Sequence, residues 1–300
     1  MSEVMIINGN AYEFKCGYRD EEVIRESFNC LTEETYGFNF RDWYDRGYWQ
    51  DRYLPYSLLD QGEVVANISV NVMDFIILDE RKCYIQIGTV MTKENYRYLG
   101  LSRALMERIL EEWESQCDLI YLFANDSVLD FYPKFGFKPM IQYQYETCVF
   151  DRNEECHIQK LDMDYSADEA LVYQIISQSR PISRLSMINN ANLVMFYCLS
   201  FMRNHIYYLE DYNAIVIAET IEDTLYLQGV FSSNEINLDD VIAQIVMDGV
   251  KKVVFGFTPN DVSRYKKEVL VEEDSTLFVK IKNDVTFLNH DLRFPVLSHA

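Results

Sequence analysis

Hydrophobic and polar positions along the first half of the chain predict strands, then a helix, then further strands. Apolar or alternating stretches, which are typical of strands, occur at residues 11–17, 56–59, 64–78 and 83–91. Residues 19–36 have helical spacing. After residue 99, Leu101, Leu105, Ile109 and Trp113 recur every four residues with charged residues between them, which predicts an amphipathic helix. This order is typical of a mixed sheet covered by helices.

Further elements follow this helix. Residues 119–123 are predicted to form a buried strand, residues 127–135 a short helix ended by Gly136, and residues 137–150 an edge strand. The aromatic- and arginine-rich segment 38–53 has no clean period, and we expect it to line a site. Residues 151–165 are polar and acidic, so the sequence predicts one domain over residues 1–150 and a second over 151–300.

The second half repeats this order more faintly. Strands are predicted at 206–209, 214–220 and 224–232, a helix at 238–247, a strand at 252–257, and a closing strand at 277–281. The apolar run 187–202 is expected either to contact the first domain or to belong to the core of the second.

Composition and charge narrow the classes of partner. The chain has 300 residues, of which 49% are hydrophobic, enough for two cores. Its net charge of −21 repels phosphate backbones and anionic membranes, so we expect no nucleic-acid or membrane partner. This charge favours a cationic ligand, although an acidic surface is also simply a soluble one.

Cysteine usage and the chain's N-terminal segment indicate a cytoplasmic protein. The seven cysteines include no C-x-x-C pair, and we expect free thiols rather than disulfides or a metal site. Residues 1–10 lack the features of a signal peptide, and no apolar stretch is long enough to span a membrane. Association into a homo-oligomer is left open.

One segment carries candidate chemistry. The strand ending at Val90, Met91 and Thr92 enters a tight loop that opens directly into the helix from residue 101. Free amides at a helix N-terminus bind anions, and Gly100 allows close approach to the backbone. The spacing alone is a weak signal and favours a purely structural turn.

Two motifs in this region resemble a known family. Arg97, Gly100 and Ser102 are similar to the acetyl-CoA signature of the GNAT N-acetyltransferases, arginine or glutamine, two residues, glycine, one residue, then glycine or alanine. The stretch 131–137 resembles the family's aromatic-Tyr-x-Lys/Arg-x-Gly-Phe motif and follows Asn125. The whole chain most resembles the tandem-GNAT enhanced-intracellular-survival branch, without its sterol-carrier-like third domain, for which 300 residues leave no room.

The resemblance implies an α/β (α+β) fold with a mixed, mostly antiparallel GNAT sheet, flanking helices and a second, degenerate GNAT-like domain. It implies that Val90, Met91 and Thr92 pair with the pantetheine arm of acetyl-CoA, the co-substrate, and that no metal is needed. Asn125 would contact acetyl-CoA, and Tyr132 would be the catalytic general acid for the leaving thiolate. The pyrophosphate would be held by the loop and first helical turn, Arg97, Tyr98, Leu99, Gly100, Leu101, Ser102 and Arg103.

The function implied is N-acetyl transfer to an amine, which we expect to belong to a small cationic acceptor. The alternative is a non-catalytic module that binds acetyl-CoA or a metabolite as a sensor or scaffold. Departures from the family pattern keep this alternative open. Gln86 lies where many members have a general-base glutamate, and Lys93-Glu94 replace the frequent His-Pro.

The base must then be Glu146, Asp74, a water relay or a group from the second half. That half has no equivalent phosphate motif between Phe231 and Leu238, so we expect it to bind no cofactor of its own. The ending 293–300 is expected to be a buried tail, or alternatively to reach the active site.

Overall fold

The computed structural model describes residues 3–148, 157–281, 287 and 290–299, and its strands form two sheets. The predicted domain boundary near residue 150 lies outside the described residues. In the described parts of the chain, no helix is both long and apolar enough to cross a membrane.

The first sheet has nine strands among the described residues, and every neighbouring pair is antiparallel except β5 and β6. A short strand, β10 (Leu185–Ile188), extends it by pairing with the far end of β4. The other strands, in spatial order, are β1 (Glu3–Ile7), β2 (Asn10–Cys16), β3 (Tyr53–Asp60), β4 (Glu63–Ile77), β5 (Glu80–Thr92), β6 (Leu119–Ala124), β16 (Thr276–Ile281) and β7 (Lys138–Pro139).

The second sheet has seven strands in the same described ranges and repeats this pattern, with β13 and β14 as its parallel pair. In spatial order they are β15 (Lys266–Val269), β8 (Tyr143–Cys148), β14 (Lys252–Phe255), β13 (Thr224–Ser232), β12 (Ala214–Ile221), β11 (Ile206–Leu209) and β9 (Ile158–Lys160). The predicted mixed, mostly antiparallel α/β fold is therefore confirmed.

Two strands lie in the sheet opposite to the one predicted. Within the range 137–150, β8 pairs with β14 and β15 in the second sheet, and only the two residues of β7 stay in the first. Conversely, β16 pairs along its whole length with β6 in the first sheet. The placements of 137–150 and 277–281 were therefore wrong. An alternating strand carries no information about which of two similar sheets it joins.

Six helices cover the sheets in the described ranges: α1 (Glu22–Tyr36), α2 (Arg41–Asp45), α3 (Leu101–Trp113), α4 (Ser166–Ser177), α5 (Ala191–Leu199) and α6 (Leu238–Ile245). Helix α3 packs on one face of the first sheet, and α1 and α2 pack on the other. The run 187–202 was predicted either to contact the first domain or to belong to the core of the second, and helix α5 within it does both. Its Leu193 and Phe196 join the core of α1 and α2, while Val194 and Met195 pack in the second half.

The segment 38–53 is core rather than a lining surface. Its large side chains are buried, and their rings pack on one another: Phe40, Trp43, Trp49 and Tyr53. Its arginines are paired, Arg46 with Glu169 on α4 at 2.6 Å and Arg52 with Asp74 at 2.8 Å. The expectation that this whole segment lines a site was therefore wrong. Large aromatic side chains bury much apolar area, and here they bury it by packing in the core.

The hairpin of β1 and β2 was missed by the sequence reading. Asn8 and Gly9 form its turn, and both have left-handed backbones with φ of 49° and 83°. An Asn-Gly pair between alternating residues is a strong hairpin signal, so this element was predictable.

Candidate functional site

The candidate site begins where the parallel strands β5 and β6 separate. Their pairing runs from Tyr84–Leu119 to Ile87–Leu122 and then stops. Strand β5 continues to Thr92, paired only with β4. The backbone edge of residues 88–92 therefore faces an opening between the two strands, and we call this opening the cleft.

A β-bulge turns the β5 backbone at the cleft. Thr89 and Val90 lie opposite the single residue Ile68, and Thr89 has a left-handed φ of 47°. Two neighbours hold this geometry. The Tyr53 hydroxyl lies 2.6 Å from the Thr89 hydroxyl, and the Asn67 amide donates to the Thr89 carbonyl at 2.9 Å. Bulges of this kind redirect backbone groups out of the ladder.

The three residues predicted to bind pantetheine lie along this free edge. The Val90 carbonyl accepts a hydrogen bond from the Tyr36 hydroxyl at 2.9 Å, and the Met91 side chain is buried. The hydroxyls of Thr92 and Ser102 lie 2.7 Å apart. This contact ties the end of β5 to the first turn of α3.

The loop between β5 and α3 contains two left-handed residues. Tyr98 has φ of 65° with a fully exposed side chain, and Gly100 has φ of 85°. The side-chain amide of Asn8, in the first hairpin, donates to the Leu99 carbonyl at 2.8 Å. Alternating left- and right-handed residues turn successive N–H groups toward one side, which makes an anion-binding concavity.

The N-terminus of α3 completes this concavity. No side chain caps it, and the Ala104 amide is bonded to the Gly100 carbonyl. The preceding amides of Leu101, Ser102 and Arg103 have no partner within the helix. These amides lie at the positive end of the helix dipole, where an anion is stabilised.

The charged side chains of the predicted phosphate loop are not aimed at one common point. The Arg97 guanidinium donates from Nε to the Thr92 carbonyl at 3.3 Å, so it folds back against the strand. Arg103 is exposed beside Glu107, with 3.8 Å between the charged groups. The concavity is therefore built mainly from backbone amides.

Tyr132 lies in a short 3₁₀ turn, residues Tyr132–Phe135, on the α3 side of the first sheet. Its ring packs edge-on against Phe131 and Phe137 and contacts Phe278 of β16. Its side chain is 4% exposed, and its hydroxyl has no hydrogen bond with any residue that the structure describes. Burial raises the pKa of Tyr132 well above its usual range, and the nearby Tyr36 hydroxyl adds to this shift. The phenol therefore stays protonated and can donate.

Residues 21–137 match the family model described as the acetyltransferase (GNAT) family. This range contains every residue predicted to bind acetyl-CoA, together with Tyr132.

The chain contains a GNAT acetyltransferase domain.

Solved structures show the same fold as the chain that carries this GNAT domain. A GCN5-related N-acetyltransferase from Kribbella flavida is 16% identical, with a TM-score of 0.55 over 90% of this chain and 71% of that one. A conserved protein of unknown function from Enterococcus faecalis V583 is 14% identical, with a TM-score of 0.60 over 96% and 74%. Eis1 from Mycobacterium abscessus is 13% identical, with a TM-score of 0.53 over 88% and 73%. A comparison with curated protein sequences gives no significant match.

Asn125 of the GNAT domain is held by the second half of the chain. Its amide donates to the Asp274 carboxylate at 2.9 Å, and the Asp126 backbone amide donates to the same carboxylate at 2.6 Å. These two hydrogen bonds lower the pKa of Asp274. Asp274 lies just before β16. This strand, which the second half of the chain contributes to the first sheet, therefore also positions the mouth of the cleft. Contact between Asn125 and acetyl-CoA stays a prediction.

Neither carboxylate proposed as a base lies free in the cleft. Glu146 is on β8 of the second sheet, 3.1 Å from Lys266 and 3.4 Å from Lys252. Asp74, at the far end of β4, is 2.8 Å from Arg52. Burial alone would raise the pKa of each carboxyl, but these cationic neighbours lower both pKa values overall.

Gln86 is buried in the middle of the first sheet, directly across from Asn71 on β4 and Tyr121 on β6. Gln86 lies where many members of the family have a general-base glutamate. The side chains at and beside this position are therefore amides and a phenol. Over the described residues, no three His, Cys, Asp or Glu side chains come together as metal ligands would.

The C-terminal segment reaches the cleft. The imidazole of His299 stacks on Phe123 of β6 with ring centroids 3.9 Å apart, and the Tyr197 hydroxyl donates to the His299 carbonyl at 2.5 Å. Burial, and then the charge of Arg293, lower the pKa of His299 to about 3, so the imidazole is neutral near pH 7. The sequence analysis gave a position at the active site as the alternative for this segment. Its residues have no helix or strand periodicity from which that position could be predicted.

Sequence reasoning also missed Tyr53 and Asn67, which hold the bulge, and Tyr36, which donates to the Val90 carbonyl. A signal for Asn67 was present, because polar residues at alternate positions, Asn67, Ser69 and Asn71, interrupt an otherwise apolar strand. Buried polar groups in such a strand need specific hydrogen-bond partners.

Proposed function

We propose that this protein transfers an acetyl group from acetyl-CoA to the amine of a small cationic acceptor, with Tyr132 as the general acid. The observation that carries this proposal is the Tyr132 hydroxyl. The Tyr132 ring is buried, its phenol is kept protonated, and its hydroxyl has no hydrogen-bond partner among the described residues. A phenol in that state is ready to donate its proton to a substrate atom that reaches it.

The arrangement of the cleft supports acetyl-CoA as the donor. The amides at the start of α3 would hold the pyrophosphate, with the left-handed Gly100 letting it approach the backbone. The pantetheine arm would then follow Val90–Thr92, in the way a short strand pairs with a free edge. The Tyr36 hydroxyl would then either give up its hydrogen bond to the Val90 carbonyl or share that carbonyl with the pantetheine arm.

The chemical step needs few groups. The acceptor nitrogen attacks the thioester carbonyl, a C–N bond forms, and the C–S bond breaks as the tetrahedral intermediate collapses. Tyr132 gives its proton to the departing sulfur, and the nitrogen loses a proton to water. Water is the acceptor in this scheme because Asp74 and Glu146 are ion-paired outside the cleft.

A cationic acceptor fits the aromatic surface beside the cleft. Tyr36 stacks on Phe38 at 6.0 Å, and Phe38 meets Phe201, which follows α5, at 5.5 Å. We call Tyr36, Phe38 and Phe201 the aromatic wall. Tyr36 and Phe201 are 42% and 54% exposed, so their faces are open to a ligand. Aromatic faces attract cations, and the net charge of −21 adds long-range attraction.

The test is release of free coenzyme A thiol from acetyl-CoA across a panel of amines (aminoglycosides, polyamines, amino acids and lysine peptides). We expect turnover with one or more cationic amines and little with neutral amines of the same size. Tight acetyl-CoA binding without turnover on any amine would instead favour the sensor or scaffold function. Neither binding nor turnover would contradict the proposal.

A further inference from the structure

The second sheet has an opening of its own, where β13 and β14 separate. Their parallel pairing runs from Thr224–Lys252 to Leu227–Phe255, and β13 then continues to Ser232 paired with β12 on its other side. The C-terminal segment occupies this opening, since the Val296 amide donates to the Gly256 carbonyl at 2.9 Å. Leu297 packs directly on Gly229, where an added Cβ would lie 2.8 Å from the leucine methyl.

A cavity of about 510 Å³ lies beside this filled opening. Its walls come from α4, the loop to β10, β10 itself, the start of α5, β13 and the C-terminal segment. Cavities of roughly 300–1,000 Å³ are typical of small-molecule sites. Among the described residues, Ile76 on β4 and the strand β10 are its contacts with the first sheet, and Ile76 lies about 23 Å along β4 from Ser69, which faces the cleft bulge. The cavity is therefore separate from the acetyl-CoA site.

The cavity wall mixes apolar and polar side chains, and its apolar part would cover a hydrocarbon or aromatic body. Two polar groups in the wall already satisfy each other, because the hydroxyls of Ser183 and Ser186 lie 2.6 Å apart. The amide of Asn189 is engaged with Asp74 at 3.3 Å. The apolar lining includes Ile176, Ile182, Met187, Val230, Phe231 and Leu297.

The charge of the lining is unusual for this chain. Among the residues that the structure describes, no aspartate or glutamate lines the cavity, although the chain has 48 of them. Arg180 is the one charged residue in this described lining. Its guanidinium makes no ion pair or hydrogen bond with a described residue, whereas Arg41, Arg46, Arg52 and Arg293 are all ion-paired. A lone cation beside an apolar wall selects an anion with an apolar body.

We propose that this cavity binds a small organic anion, with its acidic group at Arg180 and its apolar body between α4 and β13. The bound molecule would touch Pro295 and Leu297. His299 in the same segment stacks on Phe123 at the cleft, so the ligand has a direct structural route to the acetyltransferase site. The site does not depend on the proposed acetyl transfer.

The test is a fluorescence titration of the full chain with 8-anilinonaphthalene-1-sulfonate, an aromatic anion of suitable size. Excess coenzyme A is present to block the cleft. We expect one site per chain. The variant Arg180→Gln should weaken binding about fivefold, a modest factor because this arginine is exposed. Lys160→Gln, which removes an exposed charge on β9, is the matched control and should change nothing.

Two further experiments test the position of the cavity wall and the charge of the ligand's polar group. Ala191→Phe places a ring into the cavity from the start of α5 and should abolish binding, with folding checked by the melting curve. Decanoate should displace the dye, whereas decylammonium should not. Wild-type affinity in both Arg180→Gln and Ala191→Phe, or equal displacement by the two amphiphiles, would overturn the proposal.

Discussion

The side-chain amide of Asn125 donates a hydrogen bond to the Asp274 carboxylate at 2.9 Å, although 149 residues separate them in sequence. Asn125 follows β6 at the mouth of the cleft, and Asp274 precedes β16, the strand that pairs with β6. The mouth of the cleft is therefore assembled from both halves of the chain.

The first prediction concerns this contact. Asp274→Gly removes the carboxylate but keeps a residue that tolerates its left-handed φ of 53°. We expect the KM for acetyl-CoA to rise about two- to tenfold, because Asn125 and the Asp126 amide lose a charged partner. Steady-state kinetics check this. The matched control is Glu222→Gly, an exposed left-handed residue in the β12–β13 turn, which should leave the KM unchanged.

The exchange of strands leads to a second prediction. A fragment of residues 1–150 lacks β16, which leaves the edge of β6 unpaired and removes Phe278 from the Tyr132 ring. Unpaired edges promote aggregation, so this fragment should be insoluble or inactive. Expression and a thiol-release assay check it. A soluble fragment with full activity would show that the second half is not needed.

How far the sequence predicted this structure depended on the range of each interaction. The loop 97–102 and helix α3 were predicted correctly because their signals, a glycine and a four-residue period, are local. The sheets of 137–150 and 277–281 were wrong because their alternation suits either sheet equally. Long-range pairing decides between the two, and one sequence does not encode that choice locally.

The candidate site divides in the same way. Motif residues such as Arg97, Gly100 and Tyr132 carried a resemblance to a family, whereas Asp274 and His299 reach the site only through tertiary packing. The segment 38–53 shows the limit of composition. Dense aromatic residues indicated a lining surface, but Phe40 and Trp43 form core, and the tyrosine that contacts the cleft edge at the Val90 carbonyl, Tyr36, lies just before this segment.

A third prediction tests the phosphate concavity. Ser102→Asp puts a carboxylate at the start of α3, where the helix dipole tolerates or favours it. The same carboxylate would repel a pyrophosphate, so acetyl-CoA affinity should fall at least about tenfold while the melting temperature stays unchanged. Calorimetric titration measures both this variant and Ser102→Ala, which should lose much less affinity. Equal affinities in the two variants would place the pyrophosphate elsewhere.

The aromatic wall gives a fourth prediction. Phe201→Ala removes an exposed ring, and the KM for a cationic acceptor should rise about two- to fivefold, the range of an exposed cation–π contact. The KM for acetyl-CoA should not change. Val271→Ala, an exposed apolar residue before β16, is the control. An effect on acetyl-CoA alone would remove the wall from the acceptor site.

Acid stability supplies the fifth prediction. Burial, then Arg293, lower the pKa of His299 to about 3, whereas an unfolded histidine titrates near 6.5. The unfolded state therefore binds more protons between these values, and stability falls as the pH drops below about 6.5. The slope from this group approaches at most about 1.4 kcal/mol per pH unit. From pH 7 to pH 5, the melting temperature of wild type should fall relative to that of His299→Phe. Parallel curves would contradict a buried neutral imidazole.

Tyr132→Phe tests the account's central claim most directly, because it removes one hydroxyl and keeps the buried ring that packs on Phe137 and Phe278. The measurement is acetyl-CoA affinity and turnover, with Tyr226→Phe on the second sheet as the matched control. We predict unchanged affinity and a turnover lowered by about ten- to a thousandfold, since the thiolate loses its proton donor. Full turnover in Tyr132→Phe would contradict the account and make this tyrosine a core residue.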